Sequence, residues 1–539
     1  MFKLTSTSLR SLRHAATGFV AWATLATLTA GATTRDRPNV VIIFADDLGY
    51  GDLGSYNPQS KIATPHLDRL AGGGARFTDA HTSSSVCTPS RYSLLTGRYA
   101  WRTRLKNGVF DGFAPPLIEQ SRPTVASLLK AQGYRTACIG KWHLGMQWTR
   151  QDGTPETVDN EIKNGHRRTG DAIALDRRIT GGPNAVGFDY YYGISASLDM
   201  SPYCWIENDR AQFTKLGELP MKRELALSHG PGLIDPGFKM DEVLPTMKTR
   251  AMRWLTEQHQ RAPEQPFFLY LPLTSPHLPV VPSAPFLGKS GAGIYGDFVL
   301  ETDDFVGSVT ETLRKLGRLE NTLIIFSSDN GGLWHQWDPV EPDDVANYTP
   351  TPRGEFTRKL GHQSNAALRG TKADIWEGGH RVPLIVHWPR RIKPSVAREP
   401  VELTDVFGTV AEAAGVPLPA GAAEDSFSFL PIMTEPGRGK SARPFLVHHS
   451  IRGTFAVREG DWVYIESRGS GGFSRLPVVE AKSGEATGQL YDLGRDLAQT
   501  KNRFLEEPAR VSHFQTLLKT ARAGAGLRTA PPAAAIPKR

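Results

Sequence analysis

Two pairs of neighbouring residues, Asp46-Asp47 and Asp329-Asn330, hold four oxygen-bearing side chains. Adjacent carboxylates repel unless a cation lies between them, and an all-oxygen set selects a hard ion, Ca2+ or Mg2+, over zinc. Either pair alone also reads as ordinary turn residues after a strand. A third feature is Cys87-Thr88-Pro89-Ser90-Arg91, where the small or polar run Thr82 to Ser85 leads into a helix whose first turn can hold Pro89. A nucleophile at a helix N-terminus meets backbone N–H groups and the positive end of the dipole, which favour an anionic group. Arg91, four residues on, lies on the same side of that helix. Without further context, a lone Cys in a polar loop reads as a small buried thiol.

For these residues to meet, the elements that carry them must end in one place. Asn39 to Ala45 is a continuous apolar run rich in β-branched residues, the pattern of a strand buried on both faces. Similar runs recur at Phe267 to Leu273, Thr322 to Ser327 and Pro383 to His387. Asp46-Asp47 ends the first run and Asp329-Asn330 ends another, so all four side chains reach the same edge of a sheet. Helical patterns lie between: Pro65 to Ala71, capped by Thr64 and closed by Gly72; Pro123 to Gln132, closed by Gly133; and a long one near Tyr295 to Leu316. Buried strands alternating with helices predict a large α/β/α sandwich with a mostly parallel sheet, whose ligands sit beyond the carboxyl ends of the strands.

After about residue 430 the pattern changes. Phe445 to His449, Thr454 to Arg458, Trp462 to Glu466 and Gln489 to Asp492 read as short strands, and a helix from about Glu507 to Ala521 follows. This predicts a small antiparallel sheet packed with one helix. The expected division is a catalytic unit over 33–430, a smaller α+β unit over 431–523, and a disordered Ala/Pro-rich tail over 524–539.

The first 32 residues stand apart. Lys3, Arg10, Arg13 and His14 precede an apolar stretch, Ala15 to Ala30, that ends in Ala30-Gly31-Ala32, the layout of a secretory signal peptide. The stretch is short and interrupted by Thr residues and Gly18, unlike a spanning helix. Its removal lowers the formal charge from +8 to +5, because Lys3, Arg10 and Arg13 go and no acids do. An exported protein, periplasmic or secreted, with no membrane span after signal removal is expected. The positive balance suits an anionic substrate or ordinary solubility, and no dense Lys/Arg tract points to nucleic acid. Three cysteines exclude a disulfide scaffold; Cys138 and Cys204 either pair or stay as buried thiols.

The C-x-P-x-R spacing at Cys87, followed by Tyr92-Ser93-Leu94-Leu95-Thr96-Gly97-Arg98, resembles the sequence at which type I sulfatases, members of the alkaline phosphatase superfamily, have Cys oxidised to formylglycine. Further segments resemble sulfatase motifs in the family's order: Asp46 to Asp52, Thr64 to Asp68, Gly140-Lys141-Trp142-His143-Leu144-Gly145, Ser275-Pro276-His277, Ser328 to Gly332, and Arg369 to Lys372 with Glu377-Gly378-Gly379. Together they span roughly residues 38 to 390.

The resemblance implies a sulfuric ester hydrolase, with Cys87 converted to formylglycine by a maturation enzyme. It implies one Ca2+ held by Asp46, Asp47, position 87, Asp329 and Asn330. In the family's mechanism one hydroxyl of the hydrated aldehyde attacks sulfur, giving a covalent sulfate, and the other then loses its proton as sulfate leaves. Carried onto matching positions, Arg91 and Lys141 hold the hydrate and the metal-facing oxygens, and His143 takes the proton that triggers sulfate release. His277 and Lys372 bind the sulfate oxygens and help protonate or stabilise the leaving oxygen. A sulfated carbohydrate is the expected substrate, with aryl sulfates as artificial ones.

Two other readings compete. A phosphomonoester or phosphonate hydrolase of the same superfamily would need more Asp/His ligands for a second metal. A non-catalytic binder of sulfated glycans would carry an unmodified Cys87 or damaged partners. His448-His449 reads first as structural, and Asp52, Asp68 and Arg381 as scaffold. The loops Met146 to Asp189, Ser195 to Pro236 and Trp334 to Gln363 are expected to shape the pocket, and no sugar is legible in them.

Overall fold

The computed structural model describes residues 37–529 apart from 161, 164–165, 336–351, 436, 438 and 475–476. The expected signal segment 1–32 lies outside the described residues. Eleven strands form one sheet: β1 (Asn39–Ala45), β2 (Ala75–His81), β3 (Arg135–Lys141), β4 (Tyr190–Ile194), β5 (Trp205–Glu207), β6 (Arg210–Gln212), β7 (Phe267–Pro272), β8 (Thr322–Ser328), β9 (Arg381–His387), β10 (Ser395–Ala397) and β11 (Val401–Glu402). Their order is β10-β2-β9-β8-β1-β7-β3-β4-β5-β6, with β11 also beside β2. β1 is central and parallel to β7 and β8; β3 and β4 continue the parallel set, while β9 runs against both its neighbours. The sheet is therefore mostly parallel, as the alternation of strands and helices predicts.

The period of two along β1 divides the core. Val40, Ile42 and Phe44 enter one apolar cluster, and Val41, Ile43 and Ala45 enter the other. Helices α1 (Pro65–Gly73), α4 (Val243–Arg261) and α5 (Gly293–Lys315) cover the second face; α2 (Cys87–Thr96), α3 (Val125–Ala131) and α7 (Val406–Ala413) cover the first. A strand buried on both sides needs apolar residues throughout, which is why β1 was legible. β2 and β3, with Arg76, Thr78, Asp79 and Arg135, carry no such run and were not.

Helix boundaries shift where the partners are distant in sequence. Thr64 does not cap α1; its hydroxyl accepts from Gly54 N (3.0 Å), and the first-turn amides of His66 and Leu67 donate to the Asp303 carboxylate of α5 (3.1 and 2.7 Å). α1 also runs one residue beyond Gly72, to Gly73. The helix expected from Pro123 begins at Val125, because Thr124 and Ser127 form a capping box.

A four-stranded antiparallel sheet follows: β12 (Leu446–His449), β13 (Phe455–Glu459), β14 (Trp462–Ile465) and β15 (Gln489–Asp492). Helix α8 (Pro508–Ala523) packs Val511, Phe514, Leu517 and Leu518 on one face, and Ile375 and Trp376 of the larger body pack on the other. The tail departs from expectation in its first residues: Leu527 is buried, with its amide on Asp425 (2.9 Å), so 524–529 dock on the larger body. Residues 530–539 lie outside the described residues.

Candidate active site

Five strands converge at one edge. β1 ends into Asp46-Asp47, β8 into Asp329-Asn330, β3 at Lys141 with His143 just beyond, β7 ahead of His277, and β2 into the loop that reaches Cys87. Antiparallel β9 starts at this edge, so Lys372 arrives from the opposite chain direction, through the short helix α6 (Glu377–His380). All ten residues singled out in the sequence come together here, and each is at most 6% exposed. Ligand atoms of Asp46, Cys87 and Asp329 lie within 4.8 Å of one another, as do those of Asp46, Asp47 and His277.

Cations pin the carboxylates. Lys141 Nζ lies 2.7 Å from Asp46 Oδ2. Arg91 donates through Nε and Nη2 to Asp329 Oδ2 (3.0 and 2.7 Å), and its Nη2 stands 3.5 Å from Asp46 Oδ1. Lys372 Nζ straddles Asp47 at 2.8 and 3.0 Å from its two oxygens, with His277 Nε2 3.7 Å from Oδ2. Burial alone would raise Asp46, but Lys141, His277, Arg91 and Lys372 outweigh it and hold the carboxyl well below the usual range. Asp329 goes the other way: burial, then the Asp46 charge, push it up despite Arg91.

The donor set fits a hard cation. Asn330 Nδ2 donates to Asp47 Oδ1 (2.8 Å) and Gly331 O (3.0 Å), leaving Asn330 Oδ1 buried with no donor among the described residues. Asp46 Oδ1 likewise accepts no hydrogen bond there. A buried oxygen without a donor is costly. These two, beside the Asp47 and Asp329 carboxylates, are the oxygen ligands that Ca2+ takes.

Cys87 opens α2, whose N-terminus has no side-chain cap, so its first N–H groups are open to an anion. Burial pushes the thiol up, despite Lys141 and Lys372, so an unmodified Cys87 is a protonated and weak nucleophile. His143 donates from Nε2 to Phe110 O (2.8 Å), which leaves Nδ1 as a buried acceptor with no partner among the described residues. Burial, then Lys141, hold its ring well below the usual range, and burial with Lys372 lowers His277. Both imidazoles are thus proton acceptors near neutral pH.

Asp47 (φ 66°), His143 (φ 54°) and Ala373 (φ 79°), three non-glycine residues at the site, occupy the left-handed region. Such strain persists where surrounding contacts over-determine it, and it gathers at functional sites. The glycines of two motifs answer a packing need: a Cβ on Gly331 would lie 1.8 Å from Gly378 O.

Sequence reading missed the groups that orient the histidines. Ser197 Oγ and Leu278 O stand 3.1 and 2.6 Å from His277 Nδ1, and Phe110 supplies the carbonyl for His143. A backbone carbonyl leaves no signature in side-chain chemistry, and Ser197 sits in a loop with two other serines. His448 and His449 are buried: His448 stacks on His380 (4.1 Å between ring centres) and its Nδ1 lies 2.9 Å from Thr82 O, ahead of the Cys87 loop. Asp52 accepts from Gly49 N and Tyr295 OH as scaffold. Cys138 and Cys204 are separate buried thiols.

The family model described as Sulfatase matches residues 38–416. An N-acetylgalactosamine-6-O-sulfatase of Bacteroides thetaiotaomicron is 33% identical over 90% of this chain and 93% of that relative. Human arylsulfatase A is 33% identical over 89% and 85%. A structure solved in work on glycosaminoglycan metabolism by Bacteroides thetaiotaomicron superposes with a TM-score of 0.75 at 29% identity, covering 91% of this chain and all of that one.

Proposed function

The chain belongs to the sulfatase family and is a sulfuric ester hydrolase; within that family we propose that it is an exported, Ca2+-loaded enzyme that uses a formylglycine made from Cys87 on a sulfated carbohydrate. The observation that carries the proposal is the pairing of a poorly activated thiol at an open helix N-terminus with two orphaned buried oxygens beside it.

Asp46, Asp47, position 87, Asp329 and Asn330 would hold Ca2+, which supplies positive charge against the negative charge that develops on sulfate. Formylglycine, once hydrated, supplies the nucleophilic hydroxyl that a protonated thiol does not. Arg91 fixes Asp329 and Lys141 fixes Asp46, so both carboxylates keep one orientation. His143 takes a proton at Nδ1, since its Nε2 proton is held by Phe110 O. Lys372 Nζ, facing Asp47, is placed to bind a sulfate oxygen, and His277 Nε2 on the same side of Asp47 is placed to donate to the sulfate or leaving oxygen when the ring carries a proton there. Leu278 O holds the other His277 nitrogen, keeping Nε2 turned to the site.

The relative named for N-acetylgalactosamine 6-O-sulfate matches nearly full length, which supports a carbohydrate substrate and makes that sugar the first to test. Residues 1–32 support export, and a formylglycine-generating enzyme is the implied maturation partner. Peptide mass at position 87, on protein from a host with that enzyme, is to be measured beside sulfate release from an aryl sulfate and from the 6-O-sulfated sugar, with and without chelator. An aldehyde mass with chelator-sensitive release is expected. A free thiol in a competent host with no sulfate released would overturn the mechanism.

A further inference from the structure

Away from the nucleophile, at the joint between the larger body and the small sheet, lies a cavity of about 430 Å3. The segment after α2 contributes Arg98, Trp101, Arg102 and Lys106; β13 contributes Phe455; and the last turn of α8 contributes Arg522. The polar side chains lining it are donors. Arg102 is matched by Asp425 (2.8 Å), Arg522 by Glu466 (2.9 Å), and Arg98 by Glu424 (3.5 Å), which also pairs with Arg122, itself 3.9 Å from Glu119. Lys106 is exposed, and its ammonium donates to Trp101 O (2.8 Å) with no carboxylate within ion-pair distance among the described residues. Positive charge is therefore left over.

Two donors on the lining residues are also unsatisfied. Trp101 Nε1 has no acceptor among the described residues, and Arg98 Nε stands 3.5 Å from Glu424 Oε1 without hydrogen-bonding to it. The floor is rigid. Trp101 stacks on Tyr99 (5.2 Å, 18°), the Arg102 guanidinium lies 4.3 Å over Trp101, and the Arg522 guanidinium lies 3.9 Å over Phe455. A preformed, cationic, donor-only cavity calls for a ligand that only accepts, which is an anion.

Its position bears on what carries the anion. Lys106 and Val109 are three positions apart, so their Cα atoms lie no more than about 11 Å apart, and Val109 clusters with Cys87, Ala196 and Met200. The next residue, Phe110, holds His143. We propose that this cavity binds a sulfate or carboxylate on a sugar further along the chain whose sulfate is cleaved, so that the natural substrate is a polyanionic oligosaccharide and not a free monosaccharide. The proposal rests on the sulfatase reading for the first of its two anchor points.

The test uses mature full-length enzyme, as wild type, Lys106→Ala and Lys106→Glu. Hydrolysis of an aryl sulfate, too small to reach the cavity, is inhibited with a sulfated dextran oligosaccharide and, in a second arm, with an oligogalacturonate. Loss of one charge-assisted hydrogen bond raises the inhibition constant about tenfold in Lys106→Ala, and further in Lys106→Glu, with kcat and KM for the aryl sulfate unchanged. A rise confined to one arm assigns sulfate or carboxylate. An unchanged inhibition constant in Lys106→Glu, or an equal rise in aryl sulfate KM, overturns the proposal. If wild type releases sulfate from neither the aryl sulfate nor the 6-O-sulfated sugar, the sulfatase reading fails; calorimetric binding of the sulfated dextran still tests the cavity.

Discussion

Replacing Lys372 by Ala separates a chemical role from a structural one. The ammonium sits 2.8 and 3.0 Å from the Asp47 oxygens and is 6% exposed; burial opposes its charge, but Asp47 outweighs burial and holds the group protonated. Breaking a buried ion pair costs about 3–5 kcal/mol when the abandoned charge has no other partner. Asp47 keeps the Asn330 amide at 2.8 Å, so the low end, about 3 kcal/mol, is expected in metal-free protein and less with Ca2+ bound. If Lys372 also binds sulfate, its removal takes away one donor to developing charge, about 2.7–4 kcal/mol, or 10²–10³ in kcat. The assay is initial-rate sulfate release from an aryl sulfate with saturating Ca2+, beside urea unfolding with and without Ca2+. A variant that folds, binds Ca2+ and loses under tenfold in kcat would refute the sulfate-binding role and leave Lys372 as a counter-ion for Asp47.

Cys87→Ser, which cannot form the aldehyde hydrate, should release at most one equivalent of alcohol per chain and then stop; a quench-flow count above one refutes the formylglycine mechanism. Glu402 provides a pH test away from the site. Burial pushes its carboxyl up to about 8 against the opposing Arg443 charge, so the native state keeps a proton that the unfolded chain releases near 4.5. That contribution is fully present below the unfolded value and is lost as pH rises toward 8. Glu402→Gln should flatten the fall in stability between pH 5 and pH 8 in urea titrations, and an unchanged slope would show that Glu402 is not the group responsible.

Much of the site was legible because its residues sit where apolar runs stop. A strand buried on both faces must be apolar throughout, so Asn39 to Ala45 announces both the strand and its end, and Asp46-Asp47 stands out against it. The same holds for Thr322–Ser328 and Asp329-Asn330. One helical turn relates Arg91 to Cys87 locally, but likeness to the family's C-x-P-x-R motif marked the pair. The same holds for Lys141 and His143: β3, Arg135–Lys141, is half polar, and only likeness to the family's motif marked them.

The sequence by itself determined the alternation of strands and helices, the oxygen pairs at strand ends, the cysteine at its helix start and the small sheet with its helix. Each of these is a local consequence of periodicity or of neighbouring residues along one element. The tertiary structure decided what distant segments settle together. It showed that β9 runs antiparallel and so brings Lys372 onto Asp47, that Arg91 locks Asp329, and that Phe110 and Ser197 orient the two histidines. It also placed Asp303 as the cap of α1, and set Lys106 in a cavity lined from three elements. A hydrogen bond between residues 33 to 325 positions apart depends on where whole elements pack, and no pattern read along one segment encodes that.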